Sequence, residues 1–177
     1  MEDPTLIRIN SVEKSRLEGW LFFVLERLIL VVMKRINHRV IILSSSIVIF
    51  LISLTQQCYC TTNSCGYSIA AVFSGAIGLL LGGAGISWLA NPLLLISWIS
   101  INKKPKLSLI TGFLAVIISF SFLFFSKIRS DEAGNYSQII SYELGYWLWV
   151  LSSLIMFAGN IWLYFIKAKA AAQPDLH

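Results

Sequence analysis

The chain has 177 residues, 56% of them hydrophobic and 13% charged, with a formal net charge of +5 and a mean hydropathy of +0.74. Too few polar residues remain to coat a water-soluble globule of this length, so composition argues against an ordinary soluble domain and makes the lipid bilayer the expected solvent and partner. The positive charge gathers in Lys34-Arg35-Ile36-Asn37-His38-Arg39, Asn102-Lys103-Lys104-Pro105-Lys106 and Lys167-Ala168-Lys169, each beside an apolar run, which accounts for it without nucleic acid.

Residues 1–39 read as a cytoplasmic amino-terminal segment. Residues 20–33 are apolar all round, but they reach only about half the length of a span, and Glu26-Arg27 interrupts them. Asn10 followed by Glu13 resembles a capping box. A helix starting there would lay Leu17, Leu21, Val24 and Leu28 in the headgroups as an interfacial amphipathic helix. Met33-Lys34-Arg35 before an apolar run also has the form of a natural start, which would make the residues ahead of it an upstream extension.

Four segments, 40–55, 67–101, 107–126 and 144–166, are expected to cross the membrane as helices, because lipid offers exposed backbone groups no partner. The first is rich in β-branched residues and, with no small-x-small cleavage site before Cys58, reads as a retained signal anchor. Short loops rich in Lys and Arg stay on the cytoplasmic side. The clusters therefore place both termini inside a bacterial inner membrane and put loops 56–66 and 127–143 outside, with Lys127 and Arg129 in the second loop as the contrary residues.

Segment 67–101 would be about 50 Å long as one straight helix, against a hydrocarbon core of about 30 Å. It carries Gly75, Gly78, Gly82, Gly83 and Gly85 and then Asn91-Pro92, a pattern that predicts a kink or break between Gly82 and Pro92. One form is a long tilted helix whose last turns follow the interface, with Trp98 as anchor. The other is a broken or re-entrant element whose freed backbone groups line a site. Ala70, Ser74, Gly78 and Gly82 recur every four residues and form a stripe suited to close approach by another helix, from the same chain or from a second protomer.

Cys58, Cys60 and Cys65 are the three cysteines, and all fall in the first outer loop. In an oxidising compartment Cys65 is expected to pair with Cys58 or with Cys60. In the second outer loop, Asp131 and Glu132 beside Asn135 suit either a solvated charged loop under an aromatic belt or a divalent cation. The spans hold no ionisable residue between their flanks. His38 lies in a basic cluster and His177 at the terminus, so no catalytic group, metal ligand or cofactor is expected. Asn160 either bonds to a neighbouring helix or faces a pore.

Four spans, both termini inside and cysteines just after the first span resemble the bacterial disulfide-forming quinone reductases, which implies a thiol-redox enzyme. The chain departs from them in having Cys58-Tyr59-Cys60 where that family has C-x-x-C, and no cysteine in the second outer loop. Trp88-Leu89-Ala90-Asn91-Pro92 and the phrase from Tyr142 to Trp149 resemble small four-span bacterial inner-membrane proteins, a resemblance that runs from about residue 40 onward and implies no activity.

The expectation is an all-α integral membrane protein. Residues 40–166 would form a four-transmembrane-helix bundle, preceded by the interfacial helix and followed by a tail at 167–177. It would act by helix packing, as an accessory subunit of a larger membrane complex or as a homo-oligomer. A homo-oligomeric pore and a thiol-redox enzyme are the alternatives.

Overall fold

The structure, a computed structural model, describes residues 37–80, 82–129 and 135–172. The expected interfacial helix, the capping box at Asn10, the start at Met33 and the acidic pair Asp131-Glu132 lie outside the described residues. So do residues 173–177 of the tail, whereas the last helix continues past residue 166 to Ala172.

Five α-helices carry the fold: α1 His38–Leu54, α2 Ser68–Leu80, α3 Ala90–Lys103, α4 Pro105–Ser121 and α5 Leu144–Ala172. A 3-10 helix, Gly83–Leu89, leads into α3, and another, Phe122–Phe124, ends α4. Three helical segments are long and apolar enough to cross a membrane, namely Gly83–Lys103, Pro105–Phe124 and Leu144–Lys169. The fourth expected span, 40–55, is the 17-residue α1, about 25 Å long and at the short end of what a bilayer needs.

Helices α1, α3, α4 and α5 pack against one another in antiparallel succession. Ser46 of α1 faces Ser152 of α5, and Ile42 lies against Gly159. Ser97 of α3 faces Ser108 of α4. The core between them is built on Ile42, Leu94, Ile101, Ala115 and Met156. This arrangement gathers His38, Arg39, Lys103, Lys104, Lys106, Lys167 and Lys169 at one end, because the starts of α1 and α4 and the ends of α3 and α5 all lie there.

The opposite end carries a four-stranded antiparallel sheet, which corrects the all-α expectation. Its strands are β1 Gln57–Thr61, β2 Cys65–Tyr67, β3 Lys127–Arg129 and β4 Tyr136–Tyr142, in the order β2-β1-β4-β3. Each of the two expected loops forms a hairpin, and β1 pairs with β4 through Tyr59↔Tyr142 and Cys60↔Ser141, joining the hairpins into one sheet. The physical reason lies in β4. Tyr-Ser-Gln-Ile-Ile-Ser-Tyr is rich in β-branched and aromatic residues, and pairing satisfies backbone groups that a bare loop would leave to solvent.

Segment 67–101 is not one helix. The chain breaks at Gly82 and Gly83, which adopt φ of +73° and +61°, conformations open to glycine at little cost. The 3-10 helix then returns antiparallel along α2. Gly78 meets Gly85 so closely that a Cβ on Gly85 would collide with the Gly78 carbonyl. Gly75 lies under the Trp88 ring, whose Nε1 donates to the Val72 carbonyl at 2.6 Å. Pro92 sits in the first turn of α3, where its missing N–H costs little, so the break falls ten residues ahead of it rather than at it.

Candidate functional site

At the sheet end, the α2 hairpin, the sheet and the last turn of α4 enclose a cleft of about 1040 Å³. Its volume lies at the top of the range of small-molecule sites, roughly 300–1,000 Å³. The neighbouring core is aromatic. Phe122 lies 5.7 Å from Tyr59, Tyr142 and Tyr146, ring centre to ring centre, and Cys58, Ala84 and Val150 complete the cluster. Tyr142 holds the turn after α4 by donating to the Phe125 carbonyl at 3.2 Å.

The wall of the cleft mixes polar and apolar groups. Asn91 is fixed there by Trp149, whose Nε1 donates to Asn91 Oδ1 at 2.9 Å. Ser87 and Ser121 share a hydrogen bond of 3.3 Å between α4 and the 3-10 helix. Residues that both line the cleft and are exposed mark its mouth. Ile77 and Phe124 supply the apolar part, and Ser126, Lys127 and Arg129 the polar part. The described lining contains these two cations and no carboxylate.

Cys58 lines the cleft while being only 8% exposed. Burial pushes its thiol up from 9.0 to about 11, and the Ser68 hydroxyl beside it pulls the value partly back. That hydroxyl has no partner of ordinary hydrogen-bond geometry among the described residues. At neutral pH Cys58 is therefore a thiol and a weak nucleophile. Burial also raises the Tyr59 and Tyr142 phenols, and Tyr59 is raised further by the neighbouring Cys58.

The residues singled out in the sequence do not form one site. Cys58, Ser74, Gly78, Gly82 and Asn91 all line the cleft. Cys60 and Cys65 form a disulfide across the β1–β2 hairpin, which leaves Cys58 free. Asn160 lies far from the cleft, near the lysine-rich end, where its Nδ2 donates to Ser108 Oγ at 2.9 Å. Ala70 is exposed, and Ser74 donates to the Ala70 carbonyl of its own helix. The close approach on α2 therefore runs through Gly75 and Gly78 rather than along the four-residue stripe. Trp88 and Trp149 stood in the sequence only within the two phrases of the resemblance, Lys127 and Arg129 only as contrary charges, and Ser68 carried no signal. Only the alternation of Lys127 and Arg129 about Ile128 hinted at a strand.

Among groups of three or more His, Cys, Asp or Glu side chains, none of metal-binding arrangement occurs among the described residues. The cleft is equipped to bind, with aromatic surface, hydroxyl and amide groups and a basic mouth, while its one free thiol is held protonated. Comparison of the chain with protein-family models, curated proteins and solved structures yields no match.

Proposed function

We propose that this chain is a multi-pass membrane protein that acts by packing and binding rather than by catalysis, as an accessory or homo-oligomeric component of its membrane. The observation that carries this reading is an inverted distribution of polarity. Serines 46, 97, 108, 119, 152 and 153 are at most 1% exposed, whereas Ile99 is 68%, Val48 52% and Ile110 57% exposed. A soluble protein rarely shows large contiguous apolar surface to water, but lipid favours it, and small polar residues then act as glue between helices.

In this reading α1, α3, α4 and α5 span the bilayer, and α2 folds back at the sheet end as a short hairpin. The basic end faces the cytoplasm of a bacterial inner membrane, with both α1 and α5 reaching it, and the sheet faces outward. The protonated Cys58 and the tied Cys60–Cys65 pair weigh against thiol-redox chemistry. Side-specific labelling tests the topology. In a Cys58→Ser background, Asn63→Cys should react with a membrane-impermeant maleimide only from outside, and Lys104→Cys only after permeabilisation. Labelling of both from one side would sink the arrangement.

A further inference from the structure

We propose that the cleft at the sheet end is a binding site for the phosphate-bearing headgroup and upper acyl chain of an anionic membrane lipid. The inference rests on the membrane reading above and adds a ligand to it.

Four features of the cleft converge on that chemistry. Its volume of about 1040 Å³ admits more than a single ion or a bare headgroup. Its mouth combines groups of opposite character, because Phe124 is 88% and Ile77 66% exposed there and Lys127 and Arg129 are exposed as well. An amphiphile entering there meets both apolar and cationic groups, one kind for each of its own parts. Charge complementarity selects an anion, since the described lining holds two cations and no carboxylate. Arginine in particular offers the forked donors that match phosphate oxygens.

The fourth feature is the polar wall. Trp88 and Trp149 both spend their N–H groups on fixed partners, Val72 and Asn91. Their rings are thereby held in place as part of the wall, as expected of amphipathic rings at the level where headgroups meet acyl chains. Ser74, exposed on α2 and part of the lining, leaves room where a larger side chain would intrude. The same two cations also resolve an anomaly of charge. Lys127 and Arg129 lie at the end opposite the other basic clusters, and a lipid phosphate beside them would offset the cost of that placement.

The test uses the full chain purified in a neutral detergent and titrated with water-soluble short-chain phosphatidylglycerol, with phosphatidylcholine of the same chain length and with inorganic phosphate as separate probes. Saturable binding of phosphatidylglycerol, and not of the other two, is expected. Lys127→Gln with Arg129→Gln should weaken it roughly tenfold. Ser74→Phe should also weaken it, by occupying the cleft from an exposed position. Lys103→Gln with Lys104→Gln, at the far end, should leave it unchanged. Equal binding by wild type and the cleft variants, dependence on the far-end lysines, or binding of phosphate alone as tight as that of the lipid would overturn the proposal. Circular dichroism and elution volume check that each variant is folded, and the two independent cleft variants keep the proposal exposed if one is not. Because binding is read in detergent, its failure is separate from failure of the membrane reading, which would appear as absence of the chain from the membrane fraction.

Discussion

Asn160 shows how a polar side chain is used inside this protein. Its amide joins the pair Ser97 and Ser108, in which the Ser97 hydroxyl donates to the Ser108 carbonyl at 2.8 Å and the Ser108 hydroxyl donates to the Ser97 carbonyl at 2.7 Å. Three helices are thus linked by groups with a few atoms each. Interhelical hydrogen bonds in membrane proteins contribute about 0.6 kcal/mol on average and up to about 1.7 kcal/mol. Asn160→Ala is therefore expected to lower stability by about 1 kcal/mol, read from denaturant unfolding in detergent, with no change in lipid binding at the opposite end. Cys58 supports a second prediction. Its folded pKa of about 11 lies above its ordinary 9.0, so the stability it contributes is complete below pH 9 and is lost as pH rises toward 11. The difference should be on the order of 2–3 kcal/mol, at about 1.4 kcal/mol per pKa unit, and Cys58→Ser should flatten that part of the stability profile. A thiol reagent at pH 8 should find one reactive sulfur only after unfolding; rapid modification of the native protein would contradict the buried thiol. The bond of Asn160 to a neighbouring helix was one of two readings open in the sequence, and the burial of Cys58 was not among its expectations. The sequence offered Asn160 a neighbour or a pore, and left the disulfide open between two partners, because the first choice depends on backbones more than 50 residues away and the second on the register of the β1–β2 hairpin.

At the scale of elements, the hairpin of α2 with the 3-10 helix turns on backbone contact. Gly85→Ala would place a methyl group against the Gly78 carbonyl, and the rigid backbone there cannot yield as a side-chain tip does. Separation of the hairpin is expected, with a loss of roughly 1–3 kcal/mol. Gly82→Ala should cost about 1–2 kcal/mol for a different reason, since it meets open space and only its φ of +73° opposes a side chain. The two effects separate in the cleft: Gly85→Ala should impair lipid binding, and Gly82→Ala should lower stability with less effect on it. The Cys60–Cys65 disulfide closes a loop with a sequence separation of 5. Replacing both cysteines by serine is expected to cost about 2 kcal/mol in the chain-entropy picture, measured as a fall in denaturant midpoint. The glycine cluster announced the break in segment 67–101, because glycine is the residue that tolerates positive φ. The direction taken after the break was not announced. It depends on Trp88 finding Gly75 and on Gly85 finding Gly78, contacts that no periodicity encodes.

For the molecule as a whole, the arrangement of charge and apolar surface is a stronger constraint than any single contact. All four helix ends away from the sheet bring basic residues together, so in the membrane reading proposed above that end would be kept on the cytoplasmic side. Purification in nanodiscs with determination of the protein mass separates the remaining assemblies: a closed ring of copies would favour an oligomeric component and call for conductance measurements, and a monomer would favour an accessory subunit. Composition, apolar run length and the spacing of basic clusters determined, from the sequence alone, that the chain is mostly helical and apolar enough for a bilayer. They did so because those properties follow from local solvation and from backbone groups satisfied within a helix. The sheet, the folded-back hairpin and the cleft were decided only by tertiary structure. Each is made by pairing distant segments, Tyr59 with Tyr142 or Gly78 with Gly85, and the free energy of such a pair resides in the meeting of two surfaces rather than in either stretch of sequence.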